Sequence, residues 1–201
     1  MHARRTTAVI LLIALLTACS QEGGEKPESS RAAPSGTPSA DPTDSAWVQL
    51  MIPMDEQAMA LLDLAARKAT GPGLRSWADL LHSAHATELA SLRALRDRMG
   101  LPDTDVHKGH DMPGMVTAED LVRARAARGA SFDRLLVALI HDHLRQSAQV
   151  SRSETSAGSA AEARSRAREL VAARGEQLAG LCAGKAADVP EPFACGSDHP
   201  V

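Results

Sequence analysis

Apolar residues recur at helical spacing in four long stretches of the chain. These stretches cover residues 45–70, 74–99, 131–156 and 160–181, and glycine or proline residues separate them. A shorter stretch follows Thr117, which together with Asp120 predicts a helix-capping box. No stretch alternates apolar and polar residues with the period of a β-strand. The pattern therefore predicts an all-α fold, a four-helix up-and-down bundle with one short crossover helix.

The second stretch predicts which face of its helix points inward. Apolar side chains and one acid recur at steps of three and four: Leu74, Trp77, Leu81, Ala84, Glu88, Leu92, Leu95 and Met99. His85 is expected beside this stripe rather than on it. The inward face of this helix is thus expected to carry a charged group.

Composition narrows the classes of function. The 201 residues are 44% hydrophobic, which is enough for a core and excludes disorder of the whole chain. Two Trp, two Phe and no Tyr provide too few rings for stacking on single-stranded nucleic acid. The formal net charge of -3 also disfavours binding to a phosphate backbone. We therefore expect no nucleic-acid partner.

The first residues have the layout of an export signal. Arg4 and Arg5 precede a short apolar run, and this run ends at Cys19 in the order Leu-Thr-Ala-Cys. The ending resembles a bacterial lipobox, which implies that residues 1–18 are a signal peptide and that Cys19 carries acyl chains. The alternative is an ordinary signal peptide with a free Cys19. Residues 19–44 are rich in Ser, Pro, Gly and acids, so we expect a flexible linker to a lipid anchor on the extracytoplasmic face of the cell membrane.

Two cysteines remain near the other end of the chain. Cys182 closes the last helical stretch, and Cys195 lies in the Pro- and Gly-containing tail, residues 183–201. Outside the cytoplasm the two could form a disulfide that staples this tail to the bundle. The alternative is that they are metal-binding thiolates.

The helical region, residues 45–182, contains an internal repeat. An offset of 89 pairs Leu81 with Leu170 and Leu92 with Leu181, and an offset of 88 pairs Ile52 with Ile140. Each half is one helical hairpin. Because neither hairpin buries its apolar face alone, both are expected to share one core.

Several motifs together resemble the family known as domain of unknown function 305 (DUF305). The matching segments are residues 51–53, 88–89, 109–115, 129–133 and 139–140. The resemblance implies an exported, ferritin-like bundle and a role in handling metal, with copper as the candidate cofactor. The family's paired histidines are largely replaced here. The first pair reads Met54-Asp55, and the second reads Asp142-His143.

Two groups of residues are candidate metal ligands. The loop between the halves carries His107, His110, Met112 and Met115, and imidazole and thioether are ligands that suit copper. Alternatively, the methionines cover the end of the bundle and the histidines face solvent. The helices add a second group, formed by His82, His85 and His143.

A set of polar residues falls on or beside the inward helix faces. Besides His85 and His143, the set contains Asp55, Glu88, Asp142, Arg174 and Gln177. An unpaired charge is costly in a protein interior. We therefore expect a network of ion pairs in which Arg174 lies opposite Glu88, Asp55 or Asp142.

These features lead to two hypotheses of function. The first is a membrane-anchored lipoprotein that binds copper or another metal for sequestration or tolerance. The alternative is a non-catalytic structural or interaction module of the cell envelope that has lost its metal site. An enzyme is not expected, because the sequence has no Glu-x-x-His pair for a di-iron centre and no motif of a nucleophilic hydrolase.

Overall fold

The computed structural model describes residues 40–182, which form five helices. They are α1 (Pro42–Lys68), α2 (Pro72–Arg98), α3 (Ala118–Ala126), α4 (Ala130–Ala157) and α5 (Ala161–Cys182). Strands are absent from the described residues, so the predicted all-α bundle of four long helices and one short crossover helix is confirmed. The predicted lipid anchor at Cys19 and the predicted Cys182–Cys195 disulfide involve groups outside the part that the structure describes.

The helix ends follow from their capping residues. α1 begins three residues earlier than the apolar pattern predicted, because Asp41 accepts a hydrogen bond from the backbone N–H of Thr43 at 2.8 Å. Pro42 fits the first helical position, where no backbone donor is needed. The capping box of α3 is confirmed. The Thr117 hydroxyl accepts from the backbone N–H of Asp120, and the Asp120 carboxylate accepts from the backbone N–H of Thr117.

The bundle consists of two hairpins, α1–α2 and α4–α5, which are joined mainly by the packing of α1 against α4. Two apolar clusters fill the interior. One is built around Phe132, with leucines from α1, α2 and α4. The other contains all six methionines of the described residues: Met51, Met54 and Met115 are buried, and Met59, Met99 and Met112 pack against them. A group of buried polar side chains, described below, completes the interior.

The inward face of α2 differs from the prediction at one position. Ala84 is exposed, whereas the neighbouring His85 is completely buried. The step from Leu81 to His85 is four residues and the next step, to Glu88, is three, so the helical period is kept. His85 can occupy the interior because both of its ring nitrogens have polar partners there.

The length and hydropathy of these helices decide whether any of them could cross a membrane. Within residues 40–182, every helix is too short or too polar to cross a lipid bilayer.

Carboxyl groups meet at the end of the bundle where α1 and α5 begin and α4 ends. Asp44 accepts hydrogen bonds from the backbone N–H groups of Ser159 and Ala160 at 3.0 and 2.9 Å. Glu154 of α4 is 1% exposed, and its burial next to Asp44 raises the pKa of Glu154 to about 7. Gly158 permits this approach, since a Cβ there would overlap the Glu154 carboxyl group.

This arrangement predicts a pH-dependent stability. The pKa of Glu154 is raised from 4.5 to about 7 in the folded protein, so the folded state binds this proton more tightly than the unfolded chain. The resulting stabilisation is complete below about pH 4.5 and is lost as the pH rises through about 7. We expect Glu154→Gln to unfold at a higher temperature than wild type at pH 8, and to lose this advantage at pH 5.

Thermal unfolding followed by circular dichroism at both pH values measures this difference. Glu176→Gln, at an exposed position of α5, is the matched control and should behave alike at both pH values. An equal effect of Glu154→Gln at pH 5 and pH 8 would contradict the assignment.

Candidate functional site

A buried arginine organises the polar interior. The Arg174 side chain of α5 is completely buried. Its terminal nitrogens donate to both oxygens of Glu88 at 2.9 and 2.5 Å and to Oδ1 of Asp55 at 3.2 Å. Its Nε donates to the Ser147 hydroxyl at 2.8 Å, and Nη1 also donates to Gln177 Oε1 at 3.1 Å. The guanidinium group thereby contacts side chains from all four long helices.

Two buried histidines lie next to this network. Nε2 of His85 on α2 is 3.0 Å from Nε2 of His143 on α4, and neither side chain is exposed. The other ring nitrogens contact backbone carbonyl groups. Nδ1 of His85 is 3.0 Å from the Leu81 oxygen, and Nδ1 of His143 is 3.3 Å from the Gly114 oxygen. Backbone groups thus fix the orientation of both rings.

The histidine pair is held in its neutral form. Burial, with a smaller contribution from the positive charge of Arg174, lowers the pKa of His143 to about 3. The same two causes, in the same order, lower the pKa of His85 well below its usual value. Two neutral imidazoles carry two N–H protons in total. The rings make three contacts, one with the Leu81 oxygen, one with the Gly114 oxygen and one with each other, and each contact needs one N–H proton to be a hydrogen bond. One of these contacts therefore lacks a proton.

Asp55 completes a three-residue cluster with the histidines. Its Oδ1 lies 3.6 Å from His143 Nε2, and one ligand atom from each of the three residues lies within 4.8 Å of the others. Its Oδ2 is buried and has no hydrogen-bond partner. Burial and the negative charge of Glu88 together raise the pKa of Asp55 well above its usual value, against the opposing effect of Arg174.

The loop before α3 closes the site. Gly114 presents its carbonyl oxygen to His143 and donates its own N–H to Asp142 Oδ2 at 2.9 Å. Its φ of +78° favours glycine, and a Cβ at this position would overlap the Cβ of Gln146 and reach 3.1 Å from the Met54 methyl group. Gly114 is therefore the residue that allows the loop to approach His143 closely.

The structure separates several of the residues predicted as ligands. His82 lies at the surface, where its Nε2 contacts Asp63 Oδ1 at 3.0 Å. In the loop, His110 is exposed, whereas Met115 is buried in the methionine-containing cluster. His107 and Met112 are partly buried. The loop therefore divides its histidines and methionines between solvent and core.

The predicted polar set is brought together except at one position. Asp55, Glu88, Gln177 and Arg174 are in contact. Asp142 is the exception: it is exposed and bonds to the loop instead of to Arg174. The physical reason is helical spacing, because adjacent residues of a helix point about 100° apart and His143 takes the inward position.

Sequence reasoning missed three contributors to the site. Ser147 is a small hydroxyl one turn after His143, and such residues rarely stand out in a helical pattern. The backbone carbonyls of Leu81 and Gly114 carry no signal in side-chain chemistry. The sequence did offer one clue, since Gly114 is a glycine in a loop that contains His and Met residues, and a glycine can mark a place where the backbone approaches another group closely.

Comparisons with known proteins agree with this architecture. The model of the family named domain of unknown function (DUF305) matches residues 44–183. A crystal structure of a DUF305 fragment from Deinococcus radiodurans has a TM-score of 0.65 at 17% identity, and covers 75% of this chain and 99% of that chain. A DUF305 protein from Streptomyces coelicolor, whose description infers that it is secreted, has a TM-score of 0.61 at 17% identity, and covers 72% and 94%. No curated protein matches the chain significantly in sequence.

The Arg174 network predicts a large effect of its removal. Arg174→Met leaves the carboxyl groups of Glu88 and Asp55 buried without their cation, which we expect to cost about 3–5 kcal/mol in the free energy of unfolding. Urea denaturation measures this cost. The matched control is Arg166→Met on the same helix, where the surface pair with Glu169 should contribute about 0.5 kcal/mol or less.

A double variant tests the same network. Arg174→Met with Glu88→Leu should be less destabilised than the sum of the two single variants, because each single change leaves the other charge uncompensated. If the loss of unfolding free energy in the double variant equals the sum of the two single losses, Arg174 and Glu88 do not interact and the network is wrong.

Gly114 and Gly109 offer a matched pair of glycines. Their φ values are +78° and +79°, but a Cβ on Gly109 would meet no atom within 4 Å. We expect Gly109→Ala to cost about 1–2 kcal/mol from backbone strain alone. Gly114→Ala should cost clearly more, because its Cβ also overlaps Gln146. Equal losses in urea denaturation would show that the loop does not press on the helix at Gly114.

Proposed function

The chain belongs to the DUF305 family, and we propose that it binds a metal ion outside the cytoplasm through the buried cluster of Asp55, His85 and His143. We name this cluster the histidine site. Metal sequestration or tolerance is the role that such binding would serve, with no catalytic step.

One observation carries this proposal: the Nε2 atoms of His85 and His143 lie 3.0 Å apart, while each Nδ1 contacts a carbonyl oxygen. If both Nδ1 atoms donate to these carbonyls, two lone pairs face each other across the gap. A cation between them would remove this repulsion and would leave every ring nitrogen with a partner. A metal-binding histidine commonly donates its other ring N–H to a carbonyl or carboxylate, as both rings can do here.

The donor set suits a transition metal. Imidazole nitrogen binds zinc, copper, iron and nickel, and a carboxylate oxygen can be the third ligand. Asp55 can supply it, since one of its carboxylate oxygens lies within 4.8 Å of a ring nitrogen of each histidine. Arg174 helps to position this carboxylate by binding Oδ1. Glu88 offsets the positive charge of Arg174 through two hydrogen bonds, so the nearby guanidinium repels a metal ion less than it would alone.

Export and anchoring complete the proposal. The lipobox-like ending at Cys19 supports a lipid anchor, and the linker up to residue 44 would hold the bundle away from the membrane. The description of the Streptomyces coelicolor protein as secreted supports an extracytoplasmic location for this chain as well. Copper and zinc both remain candidates for the ion, and the loop histidines and methionines are candidates for a weaker second site.

Calorimetric titration of the full chain with Zn²⁺ and with Cu²⁺ tests the proposal. We expect one ion per chain to bind at micromolar concentrations, and we expect His85→Leu to abolish this binding because it removes one of the two nitrogens. His82→Leu, at the surface of the same helix, is the matched control and should bind normally.

Replacement of His107, His110, Met112 and Met115 together separates the two candidate ligand groups. This variant should keep the ion of the histidine site. If binding is lost here and kept in His85→Leu, the loop is the metal site and the proposal is wrong. If no metal binds to the wild type, the buried residues form a structural network, as the alternative hypothesis holds.

A further inference from the structure

We infer that the histidine site selects a divalent cation such as Zn²⁺ or Cu²⁺ over Cu⁺. This inference rests on the proposed function, and it names the class of ion that the same site takes. It is carried by the spacing and anchoring of the two imidazoles and by the third ligand.

The distance between the two nitrogens decides which coordination geometry they fit. At metal–nitrogen bonds of about 2.0–2.1 Å, nitrogens on opposite sides of an ion are about 4 Å apart. The same bonds place nitrogens about 3.4 Å apart at a tetrahedral angle and about 2.9 Å apart at a right angle. His85 Nε2 and His143 Nε2 are 3.0 Å apart. This separation fits a bent pair in a site with three or four ligands and is too short for a linear two-nitrogen Cu⁺ site.

The rings are poorly placed to separate by a further ångström. Each Nδ1 contacts a backbone oxygen, at 3.0 Å from Leu81 and at 3.3 Å from Gly114. Both side chains are completely buried, and their ring centroids are 5.1 Å apart. Opening the pair to the linear distance would break one of these carbonyl contacts or displace helix packing, because close-packed interiors resist such changes.

The third ligand is also of the kind that divalent ions prefer. Asp55 offers a carboxylate oxygen, a hard and negatively charged ligand, whereas Cu⁺ favours soft thioether and thiolate sulfur. The sulfur of Met51, one helical turn before Asp55, already accepts a hydrogen bond from the Ser151 hydroxyl group at 3.9 Å. Oδ1 of Asp55 is engaged by Arg174 and lies 3.6 Å from His143 Nε2, and Oδ2 has no hydrogen-bond partner.

Competition titrations against chromophoric chelators test the selectivity. The full chain is titrated with Zn²⁺ in air and with Cu⁺ under anaerobic reduction, and wild type is compared with His85→Leu and Asp55→Asn. Every variant also carries serine in place of the three cysteines, so that thiolates do not compete for Cu⁺. We expect Zn²⁺ binding to weaken about 100-fold or more in His85→Leu, with Cu⁺ binding unchanged within about twofold.

Asp55→Asn keeps an oxygen for Arg174 and removes the negative charge. It should weaken Zn²⁺ binding by about tenfold or more and leave Cu⁺ binding unchanged. Circular dichroism verifies that both variants are folded. If His85→Leu weakens Cu⁺ binding as much as Zn²⁺ binding, the selectivity is wrong while the metal site stands. If neither variant changes the binding of any ion, the proposed function fails as well.

Discussion

The fold of this protein depends on the need to neutralise one buried guanidinium group. A charge in the interior is tolerated only when it is paired and when its donors are used. Arg174 meets both conditions with Asp55, Glu88, Ser147 and Gln177. Because these partners come from α1, α2, α4 and α5, the network links the two hairpins through the interior. Apolar packing alone would tolerate more variation in that arrangement.

The histidine site is built on the same network. Asp55 bonds to Arg174 and also lies 3.6 Å from His143, so the arginine positions the carboxylate that lies beside the two imidazoles. The Gly114 loop anchors His143 from the other side. Structure and proposed function are therefore linked, since the interaction that satisfies the charge also shapes the site.

Helical periodicity predicted the fold because the long helices carry apolar faces that match their period. The repeat also has a counterpart in the site. Offsets of 88 and 89 relate Asp55 to His143 and His85 to Arg174, and these four residues meet in the interior. The apolar stripe of α2 favoured Ala84 over His85 as the inward residue, and the structure reverses that choice. That choice depends on a rotation of about 100° about the helix axis, which the apolar residues alone do not fix. The carboxyl cluster at Glu154 was missed because it depends on how three helix ends meet.

In the proposed site, His85 and His143 share one metal ion through their Nε2 atoms. Long-range proton–nitrogen NMR spectra of protein labelled at the histidine nitrogens observe these atoms themselves. With Zn²⁺ added, we expect both rings to carry their proton on Nδ1 and both Nε2 resonances to shift as metal-bound nitrogens. Unchanged Nε2 resonances for both buried histidines, or shifts confined to His107 and His110, would contradict it.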